Sequence, residues 1–230
     1  MHIYGKNVAK ETLNSDTIVK RILLEKSFND KEVLELINKK NIDIIYKEKR
    51  ELDHLINGIH QGIVLEIKDF VYTDINDVYN KENAFVIILD HIEDPHNLGA
   101  IIRTSEAAGV DRIVITKDRC CDVNATVMKT SAGALSKIKV SMVTNLSSTM
   151  KALKKNGFWI IGTDMNGTDY KKIDYKGKIA IVIGSEGTGM SRIVKEECDF
   201  ISEIPMKGKV NSLNASVAAG IIIFEAASRR

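Results

Sequence analysis

The feature that most constrains the fold is a series of short, almost wholly apolar runs that recur from residue 84 onward. Each run has the length of a buried strand, and segments with a helical pattern separate the runs. Apolar strands that alternate with helices predict a parallel sheet covered by helices on both faces. The predicted strands are residues 84–89, 112–116, 137–143, 158–163 and 179–183, with helices near residues 98–108, 125–134 and 147–155.

The first 70 residues carry a different pattern, in which short helices and strands alternate as αβαβαβ. Asp30 is placed to cap the second helix of this set. The predicted helices are residues 6–13, 31–37 and 49–56, and the predicted strands are residues 18–24, 42–46 and 62–67. We therefore expect a small α/β domain at 1–70, a polar linker at 71–83 and a larger α/β domain at 84–230.

The charge of the chain is nearly balanced, with a formal net charge of +2. Residues 1–80 have a net charge of −2, and the remainder has +4. Composition alone therefore does not indicate a nucleic-acid binder, so any RNA-binding role must come from the local placement of cations. No apolar run approaches the ~20 residues of a membrane span. Because the first residues also lack the pattern of a secretory signal, we expect a cytoplasmic protein.

The three cysteines, Cys120, Cys121 and Cys198, are too few and too irregularly spaced for a disulfide framework. Zinc sites separate their thiolates by two to four residues, which this pair of neighbours does not do. We expect three reduced thiols and no metal.

One of the two prolines, Pro95, opens a loop between a predicted strand and helix, at residues 89–104. Asn97 is placed either to cap the helix or to serve a site. Arg103 follows within the helix, beside apolar residues, and its permanent charge requires a partner there. That partner is either a carboxylate, in a structural ion pair, or a bound anion.

A second loop, at residues 181–191, runs from a strand into three glycines, Gly184, Gly187 and Gly189. Glycines at the end of a strand let a ligand approach the backbone closely. Their spacing differs from the dinucleotide fingerprint, which disfavours a nicotinamide dehydrogenase, and Glu186 would repel a pyrophosphate.

The second proline, Pro205, opens a third loop, at residues 204–221. Lys207 and Lys209 lie in it and are either RNA contacts or solvated surface charges. Asn211, Ser212 and Asn214 then lead into a helix of small and apolar residues, where Ser212 or Asn214 is also a candidate N-cap.

In order, spacing and residue identity, these three loops resemble motifs 1, 2 and 3 of the SpoU (TrmH-type) RNA ribose 2′-O-methyltransferases. The resemblance covers about residues 84–228, and the segment 129–134 fits it as well. The N-terminal part is similar to the ribosomal-protein-L30e-like substrate-binding domain of one branch, through residues 4–7 and 60–64.

The resemblance implies a SPOUT fold, in which a C-terminal trefoil knot follows from threading the chain through a loop. It also implies S-adenosyl-L-methionine as cofactor and a homodimer that completes each active site. The residues implied to bind the cofactor are Thr163, Gly184, Ile204, Met206 and Leu213. Those implied to act in catalysis are Asn97, Arg103, Glu186, Ser212 and Asn214. RNA contacts are expected from Lys207, Lys209, His60 and Gln61, although His60 and Gln61 are also placed to settle the last strand of the small domain.

The activity implied is methylation of a ribose 2′-hydroxyl in RNA, most closely of a guanosine in the peptidyl-transferase P loop of 23S rRNA. A tRNA or another rRNA site is the alternative within the family, and a non-catalytic RNA-binding assembly factor is the alternative outside it. Because an arginine keeps its proton in proteins, we expect Arg103 to bind the target phosphate rather than to accept the proton.

Overall fold

The computed structural model describes residues 1–15, 17–56, 58–210 and 212–230. The chain divides into two compact units, Met1–Val71 and Tyr72–Arg230.

In the described part of the first unit, four strands form one mixed sheet with the order β1-β4-β2-β3. The elements are β1 (His2–Tyr4), α1 (Lys6–Leu13), β2 (Val19–Glu25), α2 (Lys31–Lys40), β3 (Ile44–Lys47), α3 (Lys49–Leu55) and β4 (Ile63–Ile67). The strand β4 is antiparallel to both β1 and β2, and β2 is parallel to β3. The predicted alternation of helices and strands is confirmed, except that β1 was not predicted because it is only three residues long. Asp30 caps α2 as predicted, since its carboxylate accepts a hydrogen bond from the Val33 N–H at 3.2 Å.

In the described part of the second unit, six strands form one sheet with the order β10-β8-β9-β5-β6-β7. All neighbouring strands are parallel. Its strands are β5 (Phe85–Leu89), β6 (Arg112–Thr116), β7 (Lys139–Val143), β8 (Trp159–Asp169), β9 (Ile179–Ile183) and β10 (Phe200–Glu203). Its α-helices are α4 (Pro95–Ala107), α5 (Ala125–Thr130), α6 (Leu146–Lys155), α7 (Arg192–Glu196) and α8 (Ala215–Ser228), with 3-10 turns at Ile75–Val78, Ala134–Ser136 and Tyr170–Lys172. Every residue of β5 and of β9 is buried, as the apolar runs predict for strands covered on both faces. The predicted parallel α/β sheet is confirmed.

The edge strand β10 was not predicted, because it is only four residues long and half of its residues are polar. It pairs with β8 in a register that shifts from Gly162 to Thr168 between Ile201 and Ser202. Residues 163–167 therefore bulge out of the sheet at this edge.

From Tyr72 on, the segment 71–83, expected to be a linker, is part of the second unit. The Thr73 N–H donates to the Val140 carbonyl at 2.9 Å, which satisfies a backbone group on the edge strand β7. The Arg112 side chain is only 1% exposed and donates to Thr73, Asp77 and the Ser141 hydroxyl. The polar residues of this segment therefore serve as partners for a buried arginine, which their composition does not reveal.

The last helix of the chain, α8, packs against α4. The trefoil knot implied by the family resemblance stays a prediction. Within the described residues, no helix combines the length and the apolar character needed to cross a membrane.

Replacing Arg112 with methionine should lower the free energy of unfolding of the second unit by about 2 kcal/mol. The substitution leaves two hydroxyls and the Asp77 carboxylate without their buried partner. Urea denaturation followed by fluorescence measures this unit alone, because Trp159 is the one tryptophan of the chain. Lys139→Met is the matched control: it removes a second, exposed cation from Asp77 and should cost less than about 0.5 kcal/mol. Equal losses in the two variants would contradict the proposed role of Arg112.

The cysteines are free thiols, as expected, and burial raises the pKa of each of them. The pKa rises to about 11 for Cys120 and to about 12 for Cys198. Because a thiol below its pKa is protonated and unreactive, iodoacetamide at pH 8 should modify Cys121 first and leave the other two intact until the protein is denatured. Peptide mass spectrometry at successive times tests this order, and rapid modification of Cys198 in the native protein would contradict it.

Candidate functional site

The three sequence motifs meet at the carboxyl edge of the parallel sheet. They follow β5, β9 and β10, and β5 and β9 are the neighbours at which the order of the strands along the chain reverses. In open α/β sheets such a reversal leaves a crevice outside the carboxyl ends of the strands, where ligands bind.

The side chain of Asn214 joins all three motifs. Its Nδ2 donates to Asn97 Oδ1 at 3.0 Å and to Glu186 Oε2 at 3.0 Å. Its Oδ1 accepts from the backbone N–H groups of Ser216 at 3.0 Å and Val217 at 3.4 Å, and from the Ser216 hydroxyl at 2.6 Å. Asn214 thus caps α8 and also fixes the two other motifs with one amide.

Asn97 does not cap α4, which was one of its two expected roles. Asp94 is the N-cap, and its carboxylate accepts from the His96 N–H at 2.9 Å. Pro95 starts the helix one residue after that cap, so Asn97 lies inside the first turn. Its carbonyl oxygen is therefore free to accept from Asn214.

Arg103 lies on the outer face of α4 and is exposed, while the neighbouring Ile101 and Ile102 are buried. Within the described parts of the chain, no carboxylate lies within ion-pairing distance of its guanidinium. The structural ion pair, one of the two expected explanations, is therefore wrong. Arg103 is a cation on the surface, available to an anion from outside the chain.

The glycine loop, residues 184–190, folds back on itself so tightly that it requires glycine at its first position. A Cβ on Gly184 would lie 2.3 Å from the Gly189 carbonyl carbon and 2.4 Å from the Met190 nitrogen. Ser185 and Gly189 also exchange two backbone hydrogen bonds of 3.0 Å. The loop is therefore a closed ring of backbone, in which Gly184 lies directly against Gly189 and Met190.

Three of the residues implied to bind the cofactor follow the paired parts of adjacent strands, namely Thr163, Gly184 and Ile204. The other two, Met206 and Leu213, lie between β10 and α8. Thr163 follows the part of β8 that pairs with β9, and its hydroxyl donates to the Val182 carbonyl at 2.9 Å. Ile204 follows β10 and is half-buried, as is Leu213, which directly precedes Asn214; Met206 is 38% exposed. Partly exposed apolar side chains beside the carboxyl ends of these strands suit the faces of an adenine, so these residues fit the implied cofactor.

Lys207, Lys209 and Ser212 are exposed. In the described residues, neither lysine forms an ion pair, so both remain available to an anion. Asn211 lies outside the described residues.

His60 and Gln61, expected to contact RNA or to settle the last strand of the first unit, both form hydrogen bonds inside that unit. His60 is 4% exposed: its Nδ1 accepts from the Gly62 N–H at 2.9 Å, so its Nε2 carries the proton and donates to Asp53, also at 2.9 Å. The Gln61 carbonyl oxygen accepts from the Lys6 N–H at 2.9 Å and so supports the start of α1. The geometry favours a structural role for both.

The segment 129–134 packs closely against α4. A Cβ on Gly99 would lie 1.7 Å from Thr130 Oγ1, so only glycine lets the two helices approach this closely. The Thr130 hydroxyl donates to the Thr126 carbonyl of its own helix at 2.8 Å.

Sequence reasoning missed Asp90, which follows β5 and is only 2% exposed. Its carboxylate accepts from the Ser191 N–H at 2.6 Å and pairs with His91 Nδ1 at 2.6 Å. An acidic residue at the end of a wholly apolar strand was the available signal. Among the described residues, no group of His, Cys, Asp and Glu side chains could hold a metal ion.

Comparison with known proteins gives a family match for each of the two units. The SpoU rRNA Methylase family model matches residues 84–224, and the model for RNA 2′-O ribose methyltransferase substrate binding matches residues 2–73. A Bacillus subtilis protein assigned to the TrmH family of tRNA/rRNA methyltransferases, YacO, is 42% identical over 100% of this chain and 96% of its own length. A Staphylococcus saprophyticus protein with the same assignment is 43% identical over 99% of this chain and 95% of its own.

A solved structure shows the same fold at lower identity. The SpoU methyltransferase AviRb from Streptomyces viridochromogenes, in complex with AdoMet, is similar with a TM-score of 0.76 and 24% identity. The match covers 99% of this chain and 89% of AviRb. Because the family models together span most of the chain and the two relatives match nearly all of it, the chain is an RNA methyltransferase that belongs to the SpoU rRNA methylase family.

Proposed function

We propose that the chain methylates the 2′-hydroxyl of a ribose in RNA with S-adenosyl-L-methionine, and that its target is a guanosine in the P loop of 23S rRNA. The observation that carries the proposal is the hydrogen-bonded set Asn97–Asn214–Glu186, with the exposed Arg103 on the same helix as Asn97. The substrate-binding match of residues 2–73 supports RNA as the substrate.

The residues around the glycine loop would hold the cofactor. We expect Gly184 and its neighbours to bind through backbone groups, and Ile204, Met206 and Leu213 to contact the adenine faces. When bound, S-adenosyl-L-methionine supplies a methyl group on a sulfonium, which transfers without further activation. The chain must therefore place the ribose hydroxyl in line with that methyl group and assist the loss of its proton.

Arg103 is the residue best suited to hold the RNA at this point. Among the described residues no carboxylate pairs with this planar guanidinium, whose geometry matches a phosphate group that it can bind with two hydrogen bonds. Because a guanidinium keeps its proton in proteins, the same group is a poor proton acceptor. Asn214 holds Glu186 and Asn97 beside the reaction site, where these polar groups would orient the ribose and the loops.

We also infer that the chain acts as a homodimer. The outward face of α8 presents Val217 and Phe224, each 52% exposed, with the half-buried Ile221 between them. These residues are spaced four and three apart and so share one helix face. Apolar side chains that share an exposed face are typical of a protein interface.

A tRNA or another rRNA site is the second candidate substrate, since both relatives are assigned jointly to tRNA and rRNA methyltransferases. A non-catalytic RNA-binding factor is disfavoured, because such a protein would not need to retain the intact Asn97–Asn214–Glu186 set.

Replacing Arg103 with alanine should lower the rate of methyl transfer by a factor on the order of a hundred or more, because the target phosphate loses its anchor. Titration calorimetry should show S-adenosyl-L-methionine affinity within about twofold of wild type, since no hydrogen bond or ion pair between described residues links Arg103 to the loops. Arg103→Lys keeps the charge without the planar fork and should retain an intermediate rate.

Arg192→Ala is the matched control for that experiment. It removes an exposed arginine from α7 whose partner is Glu196, at 2.8 Å, and should leave the rate unchanged. If cofactor affinity in Arg103→Ala falls as far as the rate, Arg103 supports the fold and does not bind the substrate.

Replacing both Lys207 and Lys209 with alanine should weaken RNA binding and reduce its dependence on salt. For each cation that no longer neutralises a phosphate, the slope of log affinity against log salt becomes shallower by roughly 0.7 to 0.9. Fluorescence anisotropy with a labelled rRNA fragment at several salt concentrations gives this slope. The control replaces Lys171 and Lys172, also exposed, outside the three motif loops. An unchanged slope in the Lys207/Lys209 variant would show that these lysines are only solvated surface charges.

A further inference from the structure

A single residue outside the predicted site, Asp90, holds both ends of the glycine loop. Its backbone N–H donates to the carbonyl of Ile183, the last residue before the loop, at 2.9 Å. Its carboxylate Oδ2 accepts from the N–H of Ser191, the first residue after the loop, at 2.6 Å. The entrance and the exit of the loop are thus fastened to the same point at the end of β5.

The carboxylate of Asp90 is itself held in place. It is almost fully buried, and its Oδ1 pairs with His91 Nδ1 at 2.6 Å. His91 adopts a φ of +61°, in the left-handed region that residues other than glycine rarely occupy. Such conformations persist where surrounding contacts over-determine them, and they concentrate at functional positions.

The loop between these two anchors has little freedom of its own. Ser185 and Gly189 close it into a ring, and Gly184 passes against the Gly189–Met190 backbone with no space for a Cβ. With the ring closed and both ends fixed, the shape of the loop exists before a ligand arrives. A binding site prepared in this way avoids the entropic cost of ordering a loop on binding.

We infer that Asp90 is a positioning residue for the cofactor, which acts by holding the glycine loop in its binding shape. This inference rests on the proposed function, in which that loop binds S-adenosyl-L-methionine. Hydrogen bonds to an ionised carboxylate are roughly twice as strong as neutral ones, so the charge of Asp90 is expected to matter as well as its shape.

The Asp90→Asn substitution removes the charge of the carboxylate with little change in side-chain volume. An asparagine keeps one oxygen for the Ser191 N–H but loses the charge that strengthens this bond. The dissociation constant for S-adenosyl-L-methionine, measured by calorimetry, should rise about tenfold, and the KM for it should rise with it. The kcat at saturating cofactor and the KM for RNA should stay within about twofold, since Glu186 keeps its hydrogen bond to Asn214.

Asp111→Asn is the matched control, because Asp111 plays a comparable part at the opposite end of β5. Its Oδ2 accepts from the Phe85 N–H at 2.8 Å, and its Oδ1 pairs with Lys81 at 2.5 Å. This variant should lower the melting temperature while cofactor affinity stays at the wild-type value.

His91→Gly separates cofactor affinity from stability, and it decides the matter if Asp90→Asn does not fold. It removes the bond that orients the carboxylate and places glycine where φ is positive. The relief of backbone strain offsets the lost hydrogen bond, so the melting temperature should change little, while cofactor binding weakens by about threefold. A role confined to folding predicts that affinity follows the melting temperature in all three variants.

Wild-type affinity in both Asp90→Asn and His91→Gly would overturn the inference, as would an equal loss of affinity in Asp111→Asn. If instead the wild-type protein does not bind S-adenosyl-L-methionine at all, the proposed function falls and the inference falls with it. If the wild type binds S-adenosyl-L-methionine normally and the variants bind it equally well, the inference is wrong but the proposed function stands.

Discussion

The side-chain amide of Asn214 is the interaction on which the candidate site depends. Three loops that are far apart along the chain meet only because parallel strands bring their carboxyl ends to one edge of the sheet. The sheet brings the loops together, but the Asn214 amide sets how they meet, since it donates to Asn97 and Glu186 while it caps α8. Because the Asn214 side chain is both the cap of α8 and a residue of the site, the start of α8 cannot shift without disturbing the site.

The site combines parts that are fixed in advance with parts that are free. The glycine loop is closed on itself and anchored through Asp90, and Asn214 has partners for both its amide nitrogen and its oxygen. Arg103, Lys207 and Lys209 are exposed, and in the described parts of the chain none of them pairs with a carboxylate. This division suits a protein that binds a small cofactor in a preformed pocket and leaves its cations available for the phosphates of a large RNA.

Much of the fold could be predicted, because apolar runs of strand length and helical periodicity are local properties of the sequence. The short strands β1 and β10 were missed, since so few residues carry too little pattern. The polar residues of segment 71–83 predict a linker, whereas their partner is a buried arginine that lies 35 residues after Asp77. Burial of polar groups against distant residues leaves no trace in local composition.

The site residues were predicted from motifs, but the role of each residue depends on geometry that a sequence does not contain. Asparagine commonly caps helices, so both Asn97 and Asn214 are candidate caps. Because Pro95 follows Asp94 and starts α4, Asp94 caps that helix, and of the two asparagines only Asn214 is a cap. Asp90 carries no motif signal beyond its place after an apolar strand. The most direct test of the account is transfer of a labelled methyl group from S-adenosyl-L-methionine to rRNA from a strain that lacks this gene, followed by nucleoside mass spectrometry. The account predicts label in 2′-O-methylguanosine; label in a base methyl group, or no label with either rRNA or tRNA, would contradict it.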